Sequence, residues 1–185
     1  MQNRVGLKIS IVLIGIFFCL QPALAQVLES GGEDVVEWAE GSPLSWNDYR
    51  LRVFKSNRGQ LAITSVRHSV RGYLNEEIPD FEVKVLFVKN DSWTTDKEDL
   101  ELLAHEQLHF DIGELFRRKI VKRINGLRRQ GEKQKAIYRY VIRKELSEFR
   151  NFSKSYDKAT RHGSLKEEQE KWEKDVWEEL KRLHN

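Results

Sequence analysis

At Asp96 the hydrophobic pattern of this 185-residue chain changes period, and no other feature constrains its fold as much. Before Asp96 the apolar positions alternate. Phe81, Val83, Val85 and Phe87 share one face of an extended segment, with Glu82 and Lys84 on the other. Leu61 to Leu74 is also β-rich, and Asn75 to Asp80, containing Pro79, suits a hairpin connection. Trp46 and the following Asn47-Asp48-Tyr49 suggest a short turn or helical piece packed by aromatics, and Asn90 to Thr95 reads as a loop. After Asp96, Leu102, Leu103, Ile112, Leu115, Phe116, Ile120 and Ile124 recur at helical spacing as far as Gly126. Thr95 or Asp96 can cap this helix, with Glu98 and Asp99 in its first turn. A break from Gly126 to Gly131 separates it from a second helix beginning at Glu132, with Ile137, Val141, Leu146, Phe149 and Phe152. A third runs from Lys166 to Leu183, with Trp172, Val176, Leu180 and Leu183 on a stripe. Strands first and helices last predict an α+β domain: a small antiparallel sheet, then a helical C-terminal part.

The first of these helices contains His105-Glu106-Gln107-Leu108-His109. Two histidines four apart project from one helical face about one turn apart. Each imidazole can then give one nitrogen to a zinc ion. Glu106 is rotated aside, so it is free to act as a general base toward water activated by the metal. That division of labour is the physical content of the H-E-x-x-H pattern. Leu108, Ile112 and Phe116 can bury the flank of the helix and dry the site.

A third protein ligand must come from elsewhere. At about 100° per residue, Asp111 and Glu114 face away from His109, leaving Asp111 a role as cap, ion pair or support. The second helix should return antiparallel, and mirroring about the middle of the break brings Glu148 to Phe152 level with the two histidines. Helix geometry therefore favours Glu148 and Glu145. His162 lies about ten residues further on, roughly 15 Å along a straight helix. It reaches the site only if the helix ends first and the chain folds back, which Gly163 makes easier.

The N-terminus bears on compartment and on ligand type. Arg4 and Lys8 precede an apolar run from Ile9 to Leu20, and Ala23-Leu24-Ala25 is a small-x-small cleavage signal. Residues 1–25 are read as a signal peptide and 26–185 as a single domain delivered to the periplasm or beyond. The alternative is an uncleaved anchor, but the apolar run is short against the roughly 20 residues of a membrane span, so no stable span is expected after cleavage. Phe17-Phe18 before Cys19 is too bulky for a lipoprotein signal. The single cysteine leaves with the leader, so a disulfide and a thiolate zinc site are both excluded from the mature chain. The formal charge of +3 falls to about +1 once Arg4 and Lys8 are lost, which gives no support to nucleic-acid binding.

Several blocks of the chain resemble a bacterial domain-of-unknown-function family, family 922, described as predicted secreted zinc-dependent proteases. The blocks are Leu44-Ser45-Trp46-Asn47-Asp48-Tyr49, Asp91-Ser92-Trp93, Leu102 through Ile112, and Tyr156-Asp157-Lys158-Ala159-Thr160-Arg161-His162-Gly163, with Gln169 and Trp172 beyond. Leu108 departs from the family, which often has Gly there; this should alter packing beside the site rather than ligation. The resemblance implies a zincin-like fold carrying the H-E-x-x-H helix and a zinc-dependent hydrolytic activity. It also makes His162 the preferred third ligand beside His105 and His109, ahead of Glu148 or Glu145 and then Asp157. The expected protein is an exported Zn²⁺ metallopeptidase with Glu106 as general base, acting on a peptide or protein. The alternative is a non-catalytic zinc-containing binding or structural module. Tyr156 is a candidate oxyanion donor or an ordinary core aromatic. His68 is expected to be structural, and the basic residues Arg117 to Lys119 a solubility feature.

Overall fold

The computed structural model describes residues 34–53, 61–73 and 77–184. The leader 1–25, the expected mature start at Gln26 and the beginning of the hairpin link at Asn75 lie outside the described residues. Among the described residues no helix is long and apolar enough to cross a membrane.

The architecture is α+β, with small sheets followed by three helices. Strand β5 (Asp80–Val88) pairs antiparallel with β1 (Val35–Glu37) on one side and β4 (Val66–Tyr73) on the other, with Val88 opposite Val35 and Phe87 opposite Val66. Its alternation holds: Val83, Val85 and Phe87 are buried. The strand that the sequence marks most clearly is thus the central one, with its edges already paired. A second small sheet places β6 (Trp93–Thr94) between β2 (Arg50–Leu51), parallel to it, and β3 (Ala62–Ile63), antiparallel. Trp93 and Thr94 correct the expectation of a loop from Asn90 to Thr95; a two-residue strand is too short to display a period.

Helix α1 (Leu100–Arg129) is capped by Asp99, whose Oδ1 accepts from the Leu102 amide at 2.8 Å. Asp96, expected as a cap, instead accepts from the Glu98 amide in the turn before the helix. Trp46 lies in a 3₁₀ turn (Trp46–Asp48) and docks on the start of α1 by donating from Nε1 to the Asp99 carbonyl at 3.0 Å. Gly113 lets α1 lie directly on the sheet: a Cβ there would sit 2.7 Å from Val66 Cγ1 and 3.0 Å from Val85 Cγ1.

The break expected from Gly126 to Gly131 falls later. Gly126 stays helical, and the chain turns between Gln130 and Gln134, with Gly131 at φ +70°. A single glycine costs a helix about 1 kcal/mol, which the apolar stripe of Ile120, Ile124 and Leu127 on both sides of it offsets. Helix α2 (Lys135–Thr160) returns antiparallel, as the pairs Arg123–Glu145 and His109–Asp157 require. Tyr138, Ile142 and Tyr156 form its most buried stripe; the expected Ile137, Val141, Leu146, Phe149 and Phe152 flank it, half-buried. Helix α3 (Lys166–Arg182) lays Val176 and Leu180 against Leu108, Ile112, Leu115 and Phe116 of α1.

Candidate metal centre

His105 and His109 project from the same face of α1, with ring centroids 5.0 Å apart. His105 is buried, and its Nδ1 lies 3.1 Å from Gln169 Oε1 of α3. The orientation of that amide is fixed from its other end. Gln169 Nε2 donates to the Glu173 carboxylate, which can only accept, and Oε1 also accepts from the Tyr156 hydroxyl at 2.7 Å. His105 Nδ1 therefore carries the proton that Oε1 accepts. In the neutral ring Nε2 is then a bare acceptor, and it points at Asp157 Oδ1, 3.3 Å away.

Two acceptors facing each other in a largely buried place need positive charge between them, either a proton or a metal ion. The same oxygen lies 2.9 Å from His109 Nε2 and 3.4 Å from His162 Nδ1, so three imidazoles from α1 and the end of α2 converge on one carboxylate. When protonated imidazoles supply the charge, burial still favours the neutral acid, but hydrogen bonds from His105 and His109 outweigh it. They hold the Asp157 carboxyl well below the usual carboxylate range. The ligand atoms of His105, Asp157 and His162 all lie within 4.8 Å of one another, a grouping that could hold a metal ion, and His109 stands beside it. Nitrogen and oxygen donors in this mixture, with an amide supporting one imidazole from behind, fit a divalent ion such as zinc.

The chain reaches this arrangement through its backbone. Arg161, His162 and Gly163 are consecutive left-handed residues, at φ 48°, 55° and 82°. They end α2 and fold the chain back, so His162 arrives at the site although its side chain stays largely exposed. A left-handed conformation costs an ordinary residue roughly 1–2 kcal/mol, and such strain collects where function demands it. Gly163 is required twice over: besides its φ, a Cβ would lie 2.9 Å from His105 Cβ and 3.0 Å from His105 Cγ.

Glu106 is buried, lines the same cavity, and has no hydrogen-bond partner among the described residues. Its charge is felt nearby: burial first, and then Glu106, push the Tyr49 phenol above its ordinary value. The cavity, of about 570 Å³, lies between the Leu61–Val66 segment, α1 and the far half of α2.

Two residues favoured by helix geometry are elsewhere. Glu145 pairs with Arg123 at 3.2 Å, and Glu148 lines a separate groove with Lys122 and Lys144. The late turn is the cause: mirrored about the residues that actually turn, the histidines fall level with residues 155 to 159, which bracket Asp157. Tyr156 also differs from the oxyanion role considered for it. Its ring stacks on His105 with centroids 4.6 Å apart, and its hydroxyl is shared between Gln169 Oε1 and the His105 carbonyl, inside the protein. Asp111 accepts from Trp38 and Gln107, and burial raises its carboxyl above the ordinary value. His68 bonds the Gly113 carbonyl at 2.8 Å and packs on Phe149, the structural role expected of it. Gln169 and the Leu61–Val66 wall are what the sequence alone does not identify as parts of the site.

Residues 78–163 match the sequence model of a family described as "Bacterial protein of unknown function (DUF922)". The span contains His105, Glu106, His109, Asp157 and His162, whereas the Leu44–Tyr49 block, Gln169 and Trp172 fall outside it. No curated protein and no solved structure matches the chain. The match supports the resemblance to that family, and its description names no protease activity.

Proposed function

We propose that the chain is an exported zinc-dependent hydrolase whose substrate is a peptide or protein, with His105, His109 and His162 as its imidazole ligands. The observation that carries this reading is the convergence of three imidazole nitrogens on Asp157 Oδ1 beside a buried carboxylate, Glu106, that has no partner among the described residues. A zinc ion held there supplies Lewis acidity, acidifying water and polarising a carbonyl oxygen. Glu106 takes the proton of the attacking water and delivers it to the leaving amine, so the proton count closes within one turnover. Gln169 and Tyr156 hold His105 in the tautomer that turns Nε2 toward the site. The wall from Leu61 to Val66 includes β3, whose described partner is β6 on one side only, so its other edge can pair with an extended substrate. β5, paired on both sides, offers no such edge.

Glu106→Gln tests the mechanism, because it keeps size and most hydrogen bonding while removing the base. Zinc content and folding should match wild type, and hydrolysis of a peptide library should fall by about two or more orders of magnitude. Equal cleavage by both proteins would contradict the role given to Glu106.

One observation favours a second reading, a zinc site without catalysis. Asp157 stands where it can act as a fourth donor, and a closed four-donor set is the pattern of structural zinc. Asp157→Asn separates the two: in a structural site it removes tight zinc binding, whereas in an open catalytic site zinc remains on the three imidazoles.

A further inference from the structure

The cavity beside the metal centre is charged unevenly, and its charge is not used by the hydrolytic machinery. Arg150, Lys154 and Arg161 all line it. With Asp157 they follow the spacing four, three, four along α2 and the residue that caps it, which places all of them on one helical face. At about 1.5 Å per residue, Lys154 stands roughly 4.5 Å and Arg150 roughly 10 Å from Asp157 along the axis toward the start of α2. Arg161 flanks Asp157 from the other end. All three are exposed, and none has an ion-pair partner among the described residues. Some cations elsewhere on the helices are paired: Arg117 and Arg118 bind Glu114, Arg123 binds Glu145, and Arg182 binds Glu179. What sets Arg150, Lys154 and Arg161 apart is that they share one cavity wall. Among the described residues, the carboxylates that line the cavity are Glu106 and Asp157, beside the metal centre. Ser153 belongs to the same wall, and its buried Oγ has no hydrogen-bond partner among the described residues.

We propose that Arg150, Lys154 and Arg161, with Ser153, make this cavity selective for carboxylate-bearing peptides. The acidic groups would lie along α2 on either side of the bond presented to the metal centre. The inference rests on the proposed hydrolase for the fate of the peptide but not for its capture. Beyond Glu106 and Asp157 the described lining carries only positive charge. Such a surface concentrates ligands of the other sign, and guanidinium groups meet carboxylates in paired hydrogen bonds. Arg150 lies about three extended residues from Asp157 at roughly 3.4 Å each. Recognition should therefore reach an acidic group some three residues from the scissile bond. The carboxylate can be an Asp or Glu side chain or the C-terminus of the peptide.

The test measures binding and cleavage separately. Fluorescent dodecapeptides containing glutamate, their glutamine counterparts, and both with free or amidated C-termini are titrated into protein carrying Glu106→Gln, so that the ligand is not consumed. The glutamate peptides, or those with a free terminus, should bind about tenfold tighter than their neutral counterparts, equivalent to about 1.4 kcal/mol. The arm that loses the preference identifies the source of the carboxylate. Adding Arg150→Gln, Lys154→Gln and Arg161→Gln should bring the ratio near one while circular dichroism and thermal midpoint stay unchanged. Lys154→Arg, as a charge-preserving control, should retain the preference. Equal binding of acidic and neutral peptides by the parent, or a ratio that survives the triple exchange, overturns the proposal. With wild-type catalytic residues, acid-selective binding without cleavage would sustain this inference and count against the hydrolase. Cleavage without acid preference would do the reverse.

Discussion

The strain at the end of α2 is concentrated on residues that serve the site. Arg161 and His162 hold left-handed backbone without the freedom of glycine, and Gly163 then passes within contact distance of the His105 ring. Gly163→Ala should lower stability by about 1–3 kcal/mol, combining an unfavourable φ with a displaced imidazole. It should also weaken zinc affinity, whereas Gly126→Ala, where a Cβ meets nothing within 4 Å, should be neutral or stabilising. Thermal melts and zinc titrations of the two variants check this. At this scale the sequence is informative where chemistry is local. His105, Glu106 and His109 are readable because four residues nearly complete one helical turn. Asp157 and Gln169 are not readable in that way, because facing His105 depends on where α1 ends and how α3 returns. A displacement of the turn from Gly126–Gly131 to Gln130–Gln134 moves the facing position by about seven residues, or two turns of helix.

Among the elements, α1 carries His105, Glu106 and His109 and also joins the layers. Its start is tied down by Asp99 and by the Trp46 indole, and its middle meets the sheet through Gly113. Asp99→Ala should cost about 1 kcal/mol, the usual cost of a lost N-cap. Asp96→Ala should cost less, because the Asp96 side chain supports only the preceding turn. Chemical denaturation of both variants decides which aspartate is the cap. Their order in the chain does not, because Asp96 and Asp99 both precede the same apolar stripe and differ only in where the first helical turn closes. Long, periodic elements are legible for the opposite reason: β5 and α3 repeat their pattern often enough to declare themselves. Which strand is central is not legible, since the alternation in β5 reports one buried face and says nothing about its paired edges.

At the scale of the molecule, the described residues between 34 and 184 form one compact unit in which α1, α2 and α3 each bring a part of the centre. Zinc binding should therefore be linked to stability of the whole unit rather than of one helix. With free zinc at about 100 times its dissociation constant, the linkage is about 2.7 kcal/mol, or roughly 5–10 °C in thermal midpoint for a domain of this size. The measurement that bears most directly on the proposed metal centre is a calorimetric titration of zinc into metal-free protein. The account predicts saturation at about one zinc per chain, loss of tight binding in His105→Ala and in His109→Ala, and a comparable weakening in His162→Ala. No saturable binding, or binding that survives the loss of both His105 and His109, would contradict it.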